Sequence, residues 1–339
     1  MQIAIAGIAY HLPEAVLDNA ALTLESPRFQ ADKVKAKTGI DRRHIAGPEE
    51  CASDLAVAAA ENLFRQQGHA AEGIDYLIFC TQAPDYFLPT TACLIHQRLG
   101  LRQTAGALDI NLGCSGFVYG LGLASGLIAS GQARTVLLLT ADTYSKFIDK
   151  TDLGVRSIFG DGAAATLIED RSGDPADSAP QMGPFVYGTD GSGAEKLIVR
   201  SGGMRHPEGE EAFTDHWGRT RAESPLRMNG PEIFNFTLGA VPKAIAETLD
   251  KAGLQQSDID LFVFHQANST MLDALRRKLE IEPERFYLSL EEGGNTVSST
   301  IPIALRCAQI EGRLKPGMRV MLVGFGVGYS WATTVLRWG

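Results

Sequence analysis

The sequence predicts an α/β fold in which two similar halves pack into five alternating layers of helices and sheets. The first observation is an internal repeat, because "GIDYLIFCTQAP" (73–84) resembles "DIDLFVFHQAN" (258–268) at an offset of 185 positions. The second is a series of short, continuous apolar runs that alternate with helical segments, a pattern typical of strands covered on both faces. Two such units packed together give alternating helix and sheet layers.

Other landmarks repeat at the same offset. They are Gly68 and Gly253, Arg134 and Arg319, and Cys114 and Ser299. We therefore expect an N-terminal half over 1–172 and a C-terminal half over 173–339. The charged, glycine-rich and proline-rich segment at about 203–225 is expected to be a polar excursion outside both cores.

The predicted elements follow one order in each half: a buried strand, a helix, a short strand, a small-residue turn into a buried helix, and a closing strand. In the first half, which also begins with an N-terminal strand, they are "YLIFC" (76–80), "TTACLIHQRLG" (90–100), "AGALDI" (105–110), a helix within 110–133 and "TVLLLTA" (135–141). In the second half, the elements are "LFVFH" (261–265), "TMLDALRRKL" (270–279), "RFYLSL" (285–290) and "VMLVGFG" (320–326). The buried helix of this half is predicted to follow the turn near 295.

The stretch 110–133 carries no charge and is long enough to raise the question of a membrane span. Its glycines and serines lower its hydrophobicity, which favours a helix buried inside the protein core. The N-terminal apolar run has no basic region before it and is interrupted by His-Leu-Pro, which indicates a strand and turn rather than a signal peptide. We expect no membrane association.

Composition narrows the functional classes. The chain has 339 residues, 45% of them apolar and 21% charged, as expected for a globular protein with a sizeable core. A net charge of −9 argues against a nucleic-acid-binding protein. Its five scattered cysteines form no Cys-x-x-Cys pair, which indicates a reducing, cytoplasmic environment and gives no disulfide framework or metal site.

Three side chains are candidates for chemistry. Cys114 lies between a strand and a helix, where the helix N-terminus is expected to stabilise a thiolate. His265 ends an apolar strand, at the sheet edge where α/β proteins bind ligands. Asn295 lies in a turn before an apolar helix. Each also has a structural interpretation: Cys114 as an inert buried cysteine, His265 as a satisfied histidine, and Asn295 as a helix cap or turn former. The repeat is nevertheless expected to bring all three to one crevice.

These residues lie within longer motifs. The motifs are "TGIDRRHIA" (38–46), "NLGCSGFVYGL" (111–121), "FGDGAAA" (159–165), "HQAN" (265–268), "GGNTVSSTIP" (293–302) and "GFGVGYSW" (324–331). Over almost its whole length the chain resembles the β-ketoacyl-acyl-carrier-protein synthase III family of thiolase-like condensing enzymes. The resemblance implies a five-layer αβαβα fold, no metal or other cofactor, and a homodimer that meets through "PDYFLPTTACLIH" (84–96).

The resemblance also implies a mechanism. Cys114 would take an acyl group from a thioester of coenzyme A or of a carrier protein. His265 and Asn295 would then stabilise the enolate of a decarboxylating malonyl thioester, and the backbone N–H groups of Cys114 and Val327 would form the oxyanion hole. The product would be a β-ketoacyl thioester for fatty-acid or specialised polyketide synthesis. The residues expected at the substrate are Leu88, reaching the partner's pocket, Phe159, Asn268, and Phe325, which either shields the site or fills the core.

The chain departs from the family pattern at several positions. Lys33 and Leu153 stand where the family grips the adenine of coenzyme A, so we expect a carrier-bound primer to be preferred. Thr270 replaces a carrier-docking arginine, and Val327 replaces a glycine. Candidate contacts to phosphates or to an acidic carrier, which are equally explained as a solvated charged surface, are Lys33, Lys37, Arg156, Arg276, Arg277 and Lys278.

Two other functional classes stay open. A related enzyme would transfer the acyl group to an alcohol or amine, or join two longer acyl thioesters without decarboxylation. A non-catalytic partner subunit would only shape the pocket of a heterodimer. The pairing of His265 with Asn295 favours decarboxylative condensation, and a non-catalytic subunit has little reason to keep Cys114.

Overall fold

The computed structural model describes residues 2–26, 29–172, 182–207 and 226–339, together with the backbone of 213–214 and 220–221. Short apolar segments of the first half form strands, and the segments between them form helices. The elements are β1 Ile3–His11, β2 Val16–Asp18, α1 Asn19–Glu25, α2 Ala31–Thr38, β3 Arg42–His44, α3 Ala52–Gln67, β4 Tyr76–Cys80, α4 Thr91–Arg98, β5 Gly106–Ile110, α5 Gly116–Ala129, β6 Thr135–Asp142, α6 Leu153–Arg156 and β7 Gly162–Asp170.

The second half repeats this construction. Its elements are β8 Met182–Thr189, β9 Leu197–Val199, β10 Phe213–Thr214, β11 Thr220–Arg221, β12 Leu226–Met228, α7 Gly230–Ala252, β13 Leu261–Phe264, α8 Ser269–Lys278, β14 Phe286–Tyr287, α9 Thr300–Ile310, β15 Arg319–Gly326 and β16 Ser330–Arg337. The two main sheets have the strand orders β1-β7-β6-β4-β5 and β8-β16-β15-β13-β14. Each strand therefore has a counterpart in the same place, and the predicted repeat is confirmed.

Helices cover both faces of each sheet. Helices α5 and α9 contact strands of both sheets and form the central layer, whereas α3 and α4 lie outside the first sheet and α7 and α8 outside the second. Phe117 and Leu121 of α5 pack in one apolar cluster with Ile78 of the first sheet and Val263 of the second. The predicted five-layer αβαβα fold is confirmed. None of the helices in the described ranges is long and apolar enough to cross a membrane.

The structure refines the offset between the halves. Gly68 and Gly253 both end a helix in the left-handed conformation, with φ of 62° and 65°, at the predicted offset of 185. In the sheets, Ile78 pairs with Leu138, and its counterpart Val263 pairs with Leu322. The second strand of each pair is therefore offset by 184 positions (322 − 138), so the predicted match of Arg134 with Arg319 is wrong by one residue.

The same correction applies to the turns before the central helices. Ser115 and Ser299 are the N-cap residues of α5 and α9, with φ and ψ of −88° and −11° against −85° and −8°. An offset of 184 therefore places Cys114 on Ser298, not on Ser299 as predicted. It also places Asn111 on Asn295.

The predicted division of the chain after residue 172 falls between β7 and β8. Most of the excursion predicted at 203–225 lies outside the described residues. Its expected position outside both cores stays a prediction.

Candidate active site

One cavity of about 760 Å³ is lined by all three candidate side chains, Cys114, His265 and Asn295. Cys114 comes from the turn before α5, His265 directly follows β13, and Asn295 lies in the turn before α9. The duplicated halves thus bring one thiol, one imidazole and one carboxamide together, as the sequence predicts.

The Cys114 thiol is enclosed between the two halves. Its side chain is buried, and it packs against Gly326, where an added Cβ would lie 2.9 Å from Sγ. Burial, reinforced by the nearby Asp142 carboxylate, raises the pKa of Cys114 to about 12. The N–H of Cys114, just before α5, lowers this pKa in the predicted direction, but desolvation outweighs that effect, and the resting group is a thiol. Attack by Cys114 requires a proton acceptor.

Two backbone donors converge on the sulfur. The N–H groups of Cys114 and Val327 both hydrogen-bond to it and partly offset the rise in its pKa. Hydroxyls join the loops that carry these donors, since Ser115 Oγ lies 2.7 Å from Ser330 Oγ, which donates to the Val327 carbonyl at 2.8 Å. This arrangement supports the predicted oxyanion hole. The two serine hydroxyls connect the loop of the Cys114 donor in one half with the loop of the Val327 donor in the other.

His265 is neutral. Burial alone lowers its pKa to about 3, so the ring offers one N–H and one lone pair at physiological pH. Its Nδ1 lies 2.7 Å from Thr300 Oγ1. The ring of Phe325 packs edge-on at a centroid distance of 5.6 Å. The imidazole is therefore held from two sides, and it can accept or donate a proton at Nε2.

Asn295 is held by its backbone and by its side chain. Its N–H donates to the Ile158 carbonyl at 2.9 Å, and its carbonyl accepts from the Gly160 N–H at 3.0 Å. The side-chain Oδ1 accepts from the Val297 N–H at 2.9 Å. Asn295 is thus a turn former, as one interpretation predicts. Because Oδ1 is the acceptor in this bond, the Nδ2 hydrogens are the side-chain donors that can face a substrate.

Asp142 is a further buried group that the sequence reasoning missed. It ends β6 and accepts hydrogen bonds from the Gln82 N–H at 2.8 Å and from the N–H and hydroxyl of Ser298 at 3.2 and 2.5 Å. Burial raises its pKa to about 7. Asp142 ties the turn of the second half to the sheet of the first. Its position at the carboxyl end of an apolar strand was the available signal.

The residues predicted at the substrate divide into two groups. Phe159, Phe325 and Asn268 all line the cavity. Phe325 both closes the cavity beside His265 and packs in the core, so its two interpretations hold together. Leu88 is not among the cavity-lining residues of its own chain, and 82% of its surface is exposed.

The cavity extends to the place where α2 meets α8. Lys37 and Leu153 line it, and the Thr270 hydroxyl donates to the Lys37 carbonyl at 2.5 Å. Lys33 is exposed on α2 but is not among the lining residues. Of the two positions predicted to depart from the family pattern for adenine, Leu153 therefore lines the cavity and Lys33 does not.

The predicted docking cations have different surroundings. Arg156 forms a bidentate pair with Glu25 at 2.5 and 3.2 Å and is only 15% exposed, so this geometry gives no support for phosphate binding. Arg276 is also enclosed, and it bonds to Asp273 and to a backbone carbonyl. Arg277 shares Asp273 but is 74% exposed. Arg277 and the neighbouring Lys278 are therefore the more accessible part of this group.

A buried thiol, a neutral imidazole and a carboxamide at one cavity between duplicated halves define a condensing enzyme of the thiolase fold. Models of 3-oxoacyl-[acyl-carrier-protein] synthase III and of its C-terminal part match residues 108–191 and 249–338. The β-ketoacyl-[acyl-carrier-protein] synthase III of Caldanaerobacter subterraneus subsp. tengcongensis is 34% identical over 98% of this chain and 97% of its own. The chain belongs to the β-ketoacyl-[acyl-carrier-protein] synthase III family.

Solved structures support the same assignment. A crystal structure of a 3-oxoacyl-(acyl-carrier-protein) synthase III is 51% identical, covers both chains completely and has a TM-score of 0.95. The priming β-ketosynthase of the R1128 polyketide biosynthetic pathway is 27% identical over 99% of this chain and 96% of its own, with a TM-score of 0.83. The resemblance inferred from the sequence motifs is confirmed.

Proposed function

We propose that this chain condenses an acyl thioester with a malonyl thioester and releases carbon dioxide and a β-ketoacyl thioester. The observation that carries the proposal is the single cavity lined by Cys114, His265 and Asn295. Its thiol supplies a nucleophile, and its two neutral polar groups match the needs of an enolate.

In the first half-reaction, Cys114 sulfur attacks the carbonyl carbon of the primer thioester. The thiol proton passes to Nε2 of His265 as the new C–S bond forms, because the raised pKa of Cys114 leaves no thiolate at rest. The C–S bond of the primer then breaks, and its sulfur takes this proton and leaves as a free thiol. His265 returns to the neutral state that burial favours.

In the second half-reaction, the carboxyl C–C bond of the malonyl thioester breaks and its electron pair becomes an enolate. His265 and Asn295 donate hydrogen bonds to the enolate oxygen. The enolate carbon attacks the acyl carbonyl, whose oxyanion the N–H groups of Cys114 and Val327 stabilise. The acyl C–S bond breaks, and the Cys114 thiolate recovers one proton from water.

The departures at the entrance favour a primer attached to a carrier protein over its coenzyme A ester. Leu153 cannot form the ion pairs of a guanidinium group, and Lys33 offers no aromatic face for adenine. Exposed Arg277 and Lys278 offer positive charge to an acidic carrier. A role in a specialised acyl or polyketide pathway, rather than in housekeeping fatty-acid initiation, is the second candidate, and the similarity to the R1128 priming enzyme favours it.

A homodimer is part of the proposal. In the described sheet, β5 pairs with β4 on one side only. The nearby segment 86–88 exposes Tyr86, Phe87 and Leu88 by 63%, 76% and 82%. An unpaired strand edge next to exposed apolar side chains is suited to a second copy of the chain, and Leu88 would then reach the partner's cavity. The cytoplasmic location expected from the cysteines stays a prediction.

Intact-protein mass spectrometry tests the proposal. The protein is incubated with one acyl group presented either on coenzyme A or on a carrier protein, and then with a malonyl thioester. We expect a single acyl adduct that forms faster from the carrier, is absent in Cys114→Ala, and disappears when malonyl donor is added and carbon dioxide is released. An adduct that survives Cys114→Ala would contradict the assignment of the nucleophile, and faster transfer from coenzyme A would contradict the proposed primer.

A further inference from the structure

We infer that Thr300 is a positioning residue for the reaction, because its hydroxyl holds the ring of His265 and can serve both neutral tautomers. The inference rests on the proposed function of the same site. Thr300 is the first residue of α9, is 3% exposed, and is not among the cavity-lining residues. It acts through the imidazole and not on the substrate.

The contacts form one connected chain. Thr300 Oγ1 lies 2.7 Å from Nδ1 of His265 and 3.1 Å from the Val297 carbonyl oxygen. The N–H of the same Val297 donates to Oδ1 of Asn295 at 2.9 Å. One residue of the turn is therefore joined to both groups that face the enolate, directly to Asn295 and through Thr300 to His265.

The backbone at Val297 shows that this turn is under constraint. Val297 has a φ of 55°, a conformation that β-branched residues rarely adopt. The residue that follows it is held by two bonds to Asp142. Backbone strain of this kind persists where the surroundings over-determine it, and it is common at functional sites. Here the strained residue presents its N–H to Asn295 and its carbonyl to Thr300.

A hydroxyl suits this place because it both donates and accepts. When it accepts from Nδ1–H and donates to the Val297 carbonyl, Nε2 has a free lone pair, which the first half-reaction needs for the Cys114 proton. Between the half-reactions the ring exchanges its proton with water, losing one at Nδ1 and gaining one at Nε2. The hydroxyl then donates to the unprotonated Nδ1, and Nε2 carries the hydrogen that the second half-reaction needs for the enolate. A carboxylate would hold only Nδ1–H, and an aliphatic side chain would leave the buried nitrogen without a partner.

The other half of the molecule supplies a comparison. At the refined offsets, His265 corresponds to Cys80, and Thr300 corresponds to Gly116. A Cβ added at Gly116 would lie 2.2 Å from Cys80 Sγ, so the same two positions touch in the first half. The Cys80 thiol instead lies 3.1 Å from the Leu112 carbonyl. The hydroxyl is therefore present only in the half that carries the imidazole.

The test uses Thr300→Val, which keeps the shape and removes the hydroxyl, and Thr300→Ser, which keeps the hydroxyl. Both half-reactions are measured in the full-length protein, as the rate of acyl adduct formation and the rate of carbon dioxide release. We expect Thr300→Val to slow both steps by about 10–100-fold, by analogy with the loss of a partner that orients a metal-bound histidine, with the malonyl KM changed less than about threefold. Thr300→Ser should keep both rates within about threefold.

Thr237→Val is the matched control. Thr237 is equally buried, and its hydroxyl donates to a carbonyl of its own helix at 2.7 Å. Thermal unfolding is recorded for all variants, and Thr300→Ala replaces Thr300→Val if the valine variant does not fold. Wild-type rates in Thr300→Val, a serine variant as slow as the valine variant, or an equal loss in Thr237→Val would overturn the inference. If the wild-type protein itself forms no adduct or releases no carbon dioxide, it is the proposed function that fails.

Discussion

The turns at 111–115 and 295–299 share one backbone design but carry different chemistry. Both end in a serine N-cap with almost the same backbone angles. In the first turn, Cys114 lines the cavity while the asparagine, Asn111, is exposed. In the second turn, Asn295 lines the cavity, and Ser298, the counterpart of the cysteine, bonds to Asp142. Each half thus contributes a different residue of the same turn.

The strand ends differ in the same way. Cys80 is the last residue of β4, His265 directly follows the equivalent strand β13, and both are buried. Only His265 lines the cavity, whereas the Cys80 thiol is bonded to a backbone carbonyl. The two halves therefore share one duplicated backbone scaffold. Their chemistry differs because different side chains stand at a few equivalent positions.

Moving the thiol is the most severe test of this comparison. Cys114→Ser should lower the rate of condensation by about 10⁴-fold or more, as expected for the loss of a nucleophile. Adding Ser298→Cys to that variant should restore nothing, because position 298 faces Asp142. The measurement is the adduct assay, with peptide mapping to locate any acylated cysteine. Recovery of activity by the double variant would show that the two turns are interchangeable.

Substituting Asn295 should have the next largest effect on the reaction, and Asn111 provides its matched control. Asn295→Ala should leave acylation of Cys114 within about threefold and slow malonyl decarboxylation by about 10²–10³-fold, the usual effect of losing one oxyanion donor. Asn111→Ala, at the equivalent but exposed position, should change neither step by more than about twofold. Both rates are measured separately in single-turnover experiments. Equal losses of the two steps in Asn295→Ala would refute this division of labour.

The comparison also explains how much the sequence could predict. The apolar strand runs, the repeat and the residues Cys114, His265 and Asn295 follow from local patterns, and the structure brings them to one cavity. The one-residue change of offset does not, because it comes from the connection between strand and turn, which spans 35 positions in the first half (115 − 80) and 34 in the second (299 − 265). A difference in loop length leaves the patterns of the flanking elements unchanged. Position alone predicts a thiolate at a helix N-terminus, but burial in the assembled fold decides the pKa of Cys114.

The roles of Thr300 and Asp142 depend on contacts across the two halves or between distant segments of one half. Thr300 meets His265 from 35 positions away, and Asp142 meets Ser298 from 156 positions away. Nothing in the local pattern around Thr300 distinguishes it from the other small residues of "GGNTVSSTIP". The position of Asp142 at a strand end is a weak indication of a functional role. Its three hydrogen-bond donors come from two other segments, which the local sequence does not reveal.

The smallest expected effect concerns Asp142, whose bonds join the turn of the second half to the sheet of the first. In the unfolded chain the pKa of Asp142 is about 3.9, and in the folded protein it is about 7. Between these values the folded state binds a proton that the unfolded state does not, so the contribution of Asp142 to stability falls as the pH rises through this window. Asp142→Asn does not titrate. The free energy of unfolding of the wild-type protein, relative to this variant, should therefore fall by about 2 kcal/mol between pH 5 and pH 8.

Urea denaturation at pH 5, 6.5 and 8 measures this difference. The low pKa of His265, about 3, has the opposite sign, because the unfolded chain binds the proton and stability is lost as the pH falls below about 6.5. That contribution is common to both proteins and cancels in the comparison. A difference that does not change with pH would mean that Asp142 stays ionised throughout, held by the donors of Gln82 and Ser298. The turn of the second half would then be anchored by a full negative charge beside Cys114.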